Sequence, residues 1–218
     1  MSKKAIIVGA SGLIGSELVK ILLKQPEYSE VLVLVRKKIP LTEQKLHQQI
    51  VDFERLNDYL TVINGDVLFC CLGSTKGKTP DKSEYWKIDH DYPVQLAQIA
   101  KQNGIKQYHL VSSIGADENS SSFYLKMKGS TENDIKKTGV NSLHIYEPSL
   151  LVGNRQDNRL LEKITATLMG LINPLLIGRW KKYRSIQAKQ VAFAMYKQSL
   201  INQTGEFIYS SDKIQEIA

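Results

Sequence analysis

Ala5-Ile6-Ile7-Val8-Gly9-Ala10-Ser11-Gly12-Leu13-Ile14-Gly15 joins a continuous apolar run to a glycine triplet. Beyond it, Leu18, Val19, Ile21, Leu22 and Leu23 recur at helical spacing. The pattern predicts a buried strand, a tight turn and a helix. Glycine tolerates the backbone angles and close approaches that such a turn imposes. Free amides at the start of the helix, with the positive end of its dipole behind them, form a site for a phosphate group. The spacing is G-x-x-G-x-x-G, whereas many dinucleotide folds carry G-x-G-x-x-G. The strand before the triplet and the helix after it supply the context that gives it meaning. Gly9, Ser11, Gly12, Leu13, Ile14 and Gly15 are therefore candidate dinucleotide contacts.

Downstream the chain alternates strand and helix signals. Val31–Val35 reads as a second buried strand ending in Arg36-Lys37-Lys38. In dinucleotide folds this strand end lies beside the adenosine ribose, roughly 20 residues past the glycines, where an acid holds a free hydroxyl and an arginine accommodates a phosphate. Arg36 stands 21 positions after Gly15, and no acid occupies the strand end. A guanidinium grips a phosphate through two hydrogen bonds, so the pattern favours NADP over NAD, against the simpler reading of a solvated basic loop. Gln48–Phe53 reads as a third strand, with Asp52 and Phe53 placed to flank the adenine. Val62–Leu72 contains the fourth strand, and Leu72-Gly73-Ser74 at its carboxyl end lets a cofactor come close. Thr75–Lys82 is loop-like, and Glu84–Asn103 has helical periodicity closed by Gly104.

Tyr108–Val111 is the fifth expected strand, Ser120–Lys137 a helix and Val140–Tyr146 the sixth strand. Helices are expected over Leu160–Leu171 and Ala188–Leu200, and a last strand at Phe207–Tyr209. This alternation predicts an α/β fold: a single-domain, Rossmann-type, doubly wound parallel sheet over residues 1–218, with helices on both faces. A small carboxy-terminal segment, about residues 154–185, is expected to cover the substrate. There Leu168–Ile177, Trp180 and Tyr183 either line an apolar pocket or cover the sheet.

Composition narrows the function classes. The 218 residues suffice for one α/β core, and 42% hydrophobic with 23% charged residues is ordinary for a globular chain. Neither a secretory leader nor a membrane span is expected, because the apolar stretch Ile164–Gly178 is short and broken by Asn173-Pro174. The net charge of +7 suits an anionic cofactor, and no nucleic-acid motif accompanies it. Cys70 and Cys71 are adjacent within an apolar run and would point to opposite faces of a strand, so no disulfide framework is expected. That suits a reducing cytoplasm. His47, His90, His109 and His144 stand singly, so no metal site is expected.

The candidate chemistry lies after the fifth strand. Tyr124 and Lys128 are four positions apart and share a helix face. A tyrosine, with a pKa near 10, exchanges a proton near neutrality only with help, and a lysine one turn away supplies positive charge. A serine hydroxyl at the strand end, Ser112 or Ser113, can bind the substrate oxygen; Ser113 is preferred because it lies nearer the loop.

These stretches together resemble the short-chain dehydrogenase/reductases of the atypical or extended kind. The resemblance rests on the glycine turn, Cys71-Leu72-Gly73, Val111-Ser112-Ser113 and Tyr124 through Lys128. Val51-Asp52-Phe53-Glu54, Phe69 through Ser74, Ser113-Ile114-Gly115-Ala116-Asp117 and Asn154-Arg155-Gln156 are similar to motifs of the small Tat-interacting oxidoreductase group. The resemblance covers about residues 4–200. It implies NADPH binding, Tyr124 as proton donor or acceptor, Lys128 on the nicotinamide ribose, and Arg155 near the cofactor. Two positions depart from the pattern. Glu147 precedes Pro148 where the family often has arginine, and Asp89 falls where related enzymes often carry asparagine.

The expected function is hydride transfer between NADP(H) and a small carbonyl or alcohol. The alternatives are an NADP(H) sensor acting through a protein partner and, since this fold hosts several chemistries, an isomerase or dehydratase with a tightly held cofactor. By analogy, the helices around Glu84–Asn103 and Ser120–Lys137 are a candidate homodimer face.

Overall fold

The computed structural model describes residues 2–152, 176 and 178–218. The expected helix at Leu160–Leu171, Arg155 and most of the 154–185 segment lie outside the described residues.

Strands β1 (Lys3–Val8), β2 (Tyr28–Val35), β3 (Leu46–Ile50) and β4 (Val67–Cys70) alternate with helical segments. So do β5 (Gln107–Val111), β6 (Ser142–Glu147) and β9 (Gly205–Ser210). These form one seven-stranded sheet in the order β3-β2-β1-β4-β5-β6-β9. Every pairing is parallel. The two short strands β7 (Leu151–Val152) and β8 (Ile186–Gln187) form a separate parallel pair.

The long helices are α1 (Leu13–Lys24), α3 (Tyr92–Gln102), α4 (Phe123–Lys137) and α5 (Ala188–Ser199), with shorter α2 (Lys82–Trp86) and α6 (Ser211–Ile217). One face of the sheet packs Ile7, Val33 and Phe69 against Leu18 and Leu22 of α1 and Val191 and Met195 of α5. The other packs Ile6, Leu34 and Leu68 against Leu96 and Ala100 of α3 and Ile135 of α4. Strands apolar on both faces can be buried only in this way, with helices above and below. The seven-stranded, helix-flanked Rossmann-type fold is as expected.

Two expected elements change their bounds, and a helix is added at the carboxyl end. The third strand ends at Ile50, so Phe53 is not in it. The Asp52 carboxylate instead accepts from the Glu54 amide at 3.0 Å and starts a 3-10 helix over Phe53–Tyr59. An aspartate cap wins over strand continuation because it satisfies an amide locally. The helix expected over Glu84–Asn103 is interrupted by a π-helical turn, Lys87–Asp91, in which the Tyr92 amide bonds the Lys87 carbonyl. Pro93 explains the interruption: it has no N–H to offer the Asp89 carbonyl, which instead shares the Thr131 hydroxyl of α4, 3.0 Å away, with the Met127 carbonyl at 2.8 Å. Finally, α6 at the carboxyl end, too short for a clear periodicity, was not legible in the sequence.

Candidate functional site

The carboxyl ends of β1 and β4 lie side by side where the strand order reverses, the position of the ligand crevice in open α/β sheets. The glycine turn leaves β1 there. Gly9 has φ of +83°, and a Cβ on it would stand 2.4 Å from the Cys71 carbonyl oxygen. A Cβ on Gly15 would stand 2.2 Å from the Gly9 carbonyl oxygen. Thus Gly9 lets the turn pass over the end of β4, and Gly15 lets α1 start against the turn. The Gly12 amide donates to the Gly9 carbonyl at 2.9 Å and fixes the loop. Gly12 caps α1 without a side-chain hydrogen bond, and no acid stands in the first turn. Ser11 and Gly12 are exposed, Leu13 is half-buried and Ile14 is buried in the core. The exposed start of α1 is therefore a cradle of backbone amides suited to an anion.

Arg36 follows the last residue of β2 and is exposed, with no ion pair among the described residues. Asp52 is exposed, but its carboxylate is used as the cap of the 3-10 helix. The Phe53 ring is buried beside Tyr92, with ring centroids 5.4 Å apart. The ring belongs to the core, which leaves Asp52 and the local backbone as the groups facing outward.

Leu72, Gly73 and Ser74 leave the end of β4. Leu72 packs on the core and Gly73 is exposed. The Ser74 amide donates to Asp89 Oδ2 at 2.7 Å, which fastens this loop to the π turn.

Helix α4 carries Tyr124, Lys128 and Glu132 at successive four-residue steps, so they form one stripe. Tyr124 is exposed, near Tyr85 of α2 with ring centroids 6.5 Å apart. Lys128 is buried, and its Nζ lies 2.9 Å from Asp89 Oδ1. This is a direct charge contact rather than an aligned hydrogen bond, and Asp89 Oδ1 has no aligned donor among the described residues. Burial pushes the Lys128 ammonium down, but attraction from Asp89 and Tyr124 outweighs it and the net shift is upward.

The structure separates the two serines. Ser112 is buried and its Oγ donates to Glu132 Oε1. Ser113 is half-buried, with a hydroxyl uncommitted among the described residues. Ser112 is thus committed to α4, and Ser113 is the serine left for a ligand. Burial pushes the Glu132 carboxyl up to about 7, against the hydrogen bond from Ser112. The loop after Ser113 is held on α4 by the Asp117 amide, which donates to the Leu125 carbonyl at 3.1 Å. Gly129 permits that approach, since a Cβ there would stand 2.3 Å from the Asp117 carbonyl carbon. Glu147, at the end of β6, is half-buried and its carboxyl is raised by burial.

Sequence reasoning left Asp89 without a role and missed Glu132. Continuing the four-residue spacing from Tyr124 through Lys128 would have reached Glu132. The partnership with Asp89 has no local signal. A shallow groove of about 520 Å³ lined by Val94, Gln98, Lys101, Asp134 and Lys137 runs between α3 and α4, away from all these residues.

The family described as NAD(P)H-binding matches residues 9–172, which begins at the glycine turn and includes the whole of this site. The chain belongs to this NAD(P)H-binding family. It is 36% identical over 173 residues to Protein HTATIP2 of Rattus norvegicus, covering 78% of this chain and 71% of the relative. It is 32% identical over 157 residues to Protein FMP52, mitochondrial, of Saccharomyces cerevisiae, covering 71% of this chain and 68% of the relative. Among solved structures, the fold is similar to the Bordetella bronchiseptica enzyme WbmH in complex with NAD+, with a TM-score of 0.74 at 15% identity, covering 96% of this chain and 76% of that one. It is also similar to the UDP-N-acetylglucosamine 4-epimerase of Methanobrevibacter ruminantium M1, with a TM-score of 0.72 at 19% identity, covering 96% of this chain and 76% of that one. At those identities the structural likeness speaks for the fold alone. No helix among the described residues is long and apolar enough to cross a membrane.

Proposed function

We propose that this protein is an NADP-dependent oxidoreductase that moves hydride between the nicotinamide and a small carbonyl or alcohol. The observation that carries the proposal is the Tyr124–Lys128 face of α4, where Asp89 joins Lys128 to the loop leaving β4; Ser113, with its uncommitted hydroxyl, follows β5, the next strand of the sheet. The fit to a dinucleotide rests on the amide cradle at Gly9–Ile14, where backbone packing excludes a Cβ at Gly9 and Gly15. Gly73 adds support: among the described residues a Cβ there would meet only Asp89 Oδ1, at 3.5 Å, which leaves room for a ligand at the end of β4. Arg36 is the residue assigned to the extra phosphate, as an exposed guanidinium at the end of β2. Arg155 is retained as a cofactor contact on resemblance alone.

When bound, the nicotinamide supplies or accepts the hydride. In reduction, the substrate oxygen takes the phenol proton of Tyr124 as the carbonyl carbon gains hydride. Ser113 Oγ–H donates a hydrogen bond to that oxygen and stabilises its developing charge. The Lys128 ammonium stabilises the phenolate that remains, and by resemblance it would also hold the nicotinamide ribose. The oxidation direction runs the same proton path in reverse.

The free thiols of Cys70 and Cys71 suit a reducing compartment. We assign the cytoplasm on that basis, although the yeast relative's name places it in mitochondria.

Replacement of Tyr124 by Phe tests the assignment. Turnover with NADPH and a panel of aldehydes and ketones should fall at least 100-fold, while NADPH affinity changes little. Unchanged turnover would remove Tyr124 from the mechanism.

A second reading, an NADP(H)-binding regulator acting through a protein partner, is favoured by the buried Lys128–Asp89 pair, which engages the ammonium internally. No NADPH oxidation across the panel, together with cofactor-dependent capture of a partner, would establish it.

A further inference from the structure

Asp89 is only 1% exposed, and three contacts converge on it, one from the loop leaving β4 and two from α4. Its Oδ2 accepts from the Ser74 amide at 2.7 Å. Its Oδ1 lies 2.9 Å from Lys128 Nζ. Its main-chain carbonyl accepts from Thr131 Oγ1 at 3.0 Å. The π turn over Lys87–Asp91 and the missing amide of Pro93 release that carbonyl and set the residue facing both β4 and α4. A carboxylate this deeply buried is costly unless it is paired, and so is a buried ammonium. The two charges make each other tolerable.

We infer that Asp89 is a positioning residue of the nicotinamide end of the site: it keeps Lys128 charged and joins that ammonium to the loop leaving β4. The inference rests on the reading of Tyr124 and Lys128 given above. The groups facing Lys128 support it. On its own helix stand Tyr124, one turn before, and Glu132, one turn after, the latter held by Ser112. From the end of β4 comes the buried thiol of Cys70, pushed up by burial, and from α2 comes Tyr85, near Tyr124 and raised beyond the ordinary tyrosine range by burial and then by Asp89. Thiol and phenol are neutral near pH 7, and burial favours the neutral form of Glu132. Asp89 is the carboxylate in direct contact with the ammonium. Without it, burial would discharge Lys128, and the phenolate of Tyr124 would lose its cation.

The Ser74 contact gives Asp89 a second effect. An amide in its place has one acceptor for two donors: either its –NH2 faces the ammonium, or it faces the Ser74 amide and the loop Leu72–Ser74 loses its anchor. Either change weakens the floor on which a nicotinamide would rest.

The test follows the charge of Lys128 directly. Lysine labelled with 13C at Cε is titrated by NMR in the full-length protein, with Lys128→Met identifying the signal. In the wild-type protein the Lys128 signal should keep its ammonium position to about pH 10, the ordinary lysine range. In Asp89→Asn it should change at least one pH unit lower, and NADPH affinity at pH 8 should fall roughly tenfold or more, on the order expected when a buried charge loses its partner. A Lys128 titration at the same pH in both proteins would overturn the inference. If Asp89→Asn does not fold, the wild-type titration decides alone, since discharge of Lys128 below pH 9 would also overturn it. Failure of this inference leaves turnover by the wild-type protein and its loss in Tyr124→Phe intact. Failure of the catalytic reading leaves the Lys128 titration unchanged, so the two are distinguishable.

Discussion

The carbonyl oxygen of Cys71 lies 2.4 Å from the place a Cβ on Gly9 would occupy, so the first turn of the chain and the exit of β4 share one atom's width of space. Gly9→Ala would meet immovable backbone and strain a φ of +83° at the same time. The expected cost is about 2 kcal/mol or more, read by chemical denaturation, with NADPH binding lost. Gly77→Ala, in open space on the loop after β4, should change neither measurement.

Arg36 offers a test of cofactor choice that leaves the core untouched. Arg36→Asp places an acid at an exposed strand end, where it would accept from a free ribose hydroxyl and repel a phosphate. NADPH affinity should fall at least tenfold and NADH affinity should rise, measured by calorimetry. Equal affinities before and after would assign the phosphate to another residue.

Glu132 makes stability depend on pH in a direction opposite to that of most carboxylates. Its pKa in the folded chain is raised to about 7, so between the unfolded value near 4.5 and about 7 the folded state holds more protons. Stability therefore falls as pH rises through that window. Glu132→Gln keeps an acceptor for Ser112 and removes the buried charge. It should match the wild type near pH 5 and exceed it at pH 8, by about 3 kcal/mol at most. Thermal unfolding at the two pH values measures the difference.

His109 and His144 stack with ring centroids 4.3 Å apart across β5 and β6. Their hydrogen bonds to Tyr146 and Tyr209, at 3.1 and 3.0 Å, suit neutral rings. Burial lowers His144 to about 4 and His109 well below its ordinary 6.5. The unfolded chain then binds more protons below pH 6.5, so these rings cost stability as pH falls from 6.5 toward 4. His144→Gln, which cannot be protonated, should show a shallower acid loss than the wild type in the same unfolding series. An unchanged slope would mean that His144 is already protonated in the folded chain.

Local patterns carried much of this reading. The apolar run, the glycines and the four-residue step from Tyr124 to Lys128 are short-range features, and the helical and strand periods express them without help from distant residues. Where sequence reasoning misplaced an element, a short-range competitor was overlooked. The Asp52 cap ended β3 early and turned the Phe53 ring into the core. Pro93 interrupted a helix that periodicity alone would have continued.

The sequence by itself determined the order of the main-sheet strands and the long helices, the glycine turn and the Tyr124–Lys128 face, because each depends on residues within a few turns of one another. Only the tertiary structure decided which serine is free, which carboxylate meets Lys128 and which takes the hydroxyl of Ser112. Those choices depend on buried charges and hydroxyls that must find partners where water is excluded, and their partners come from helices and strand ends far apart in the chain.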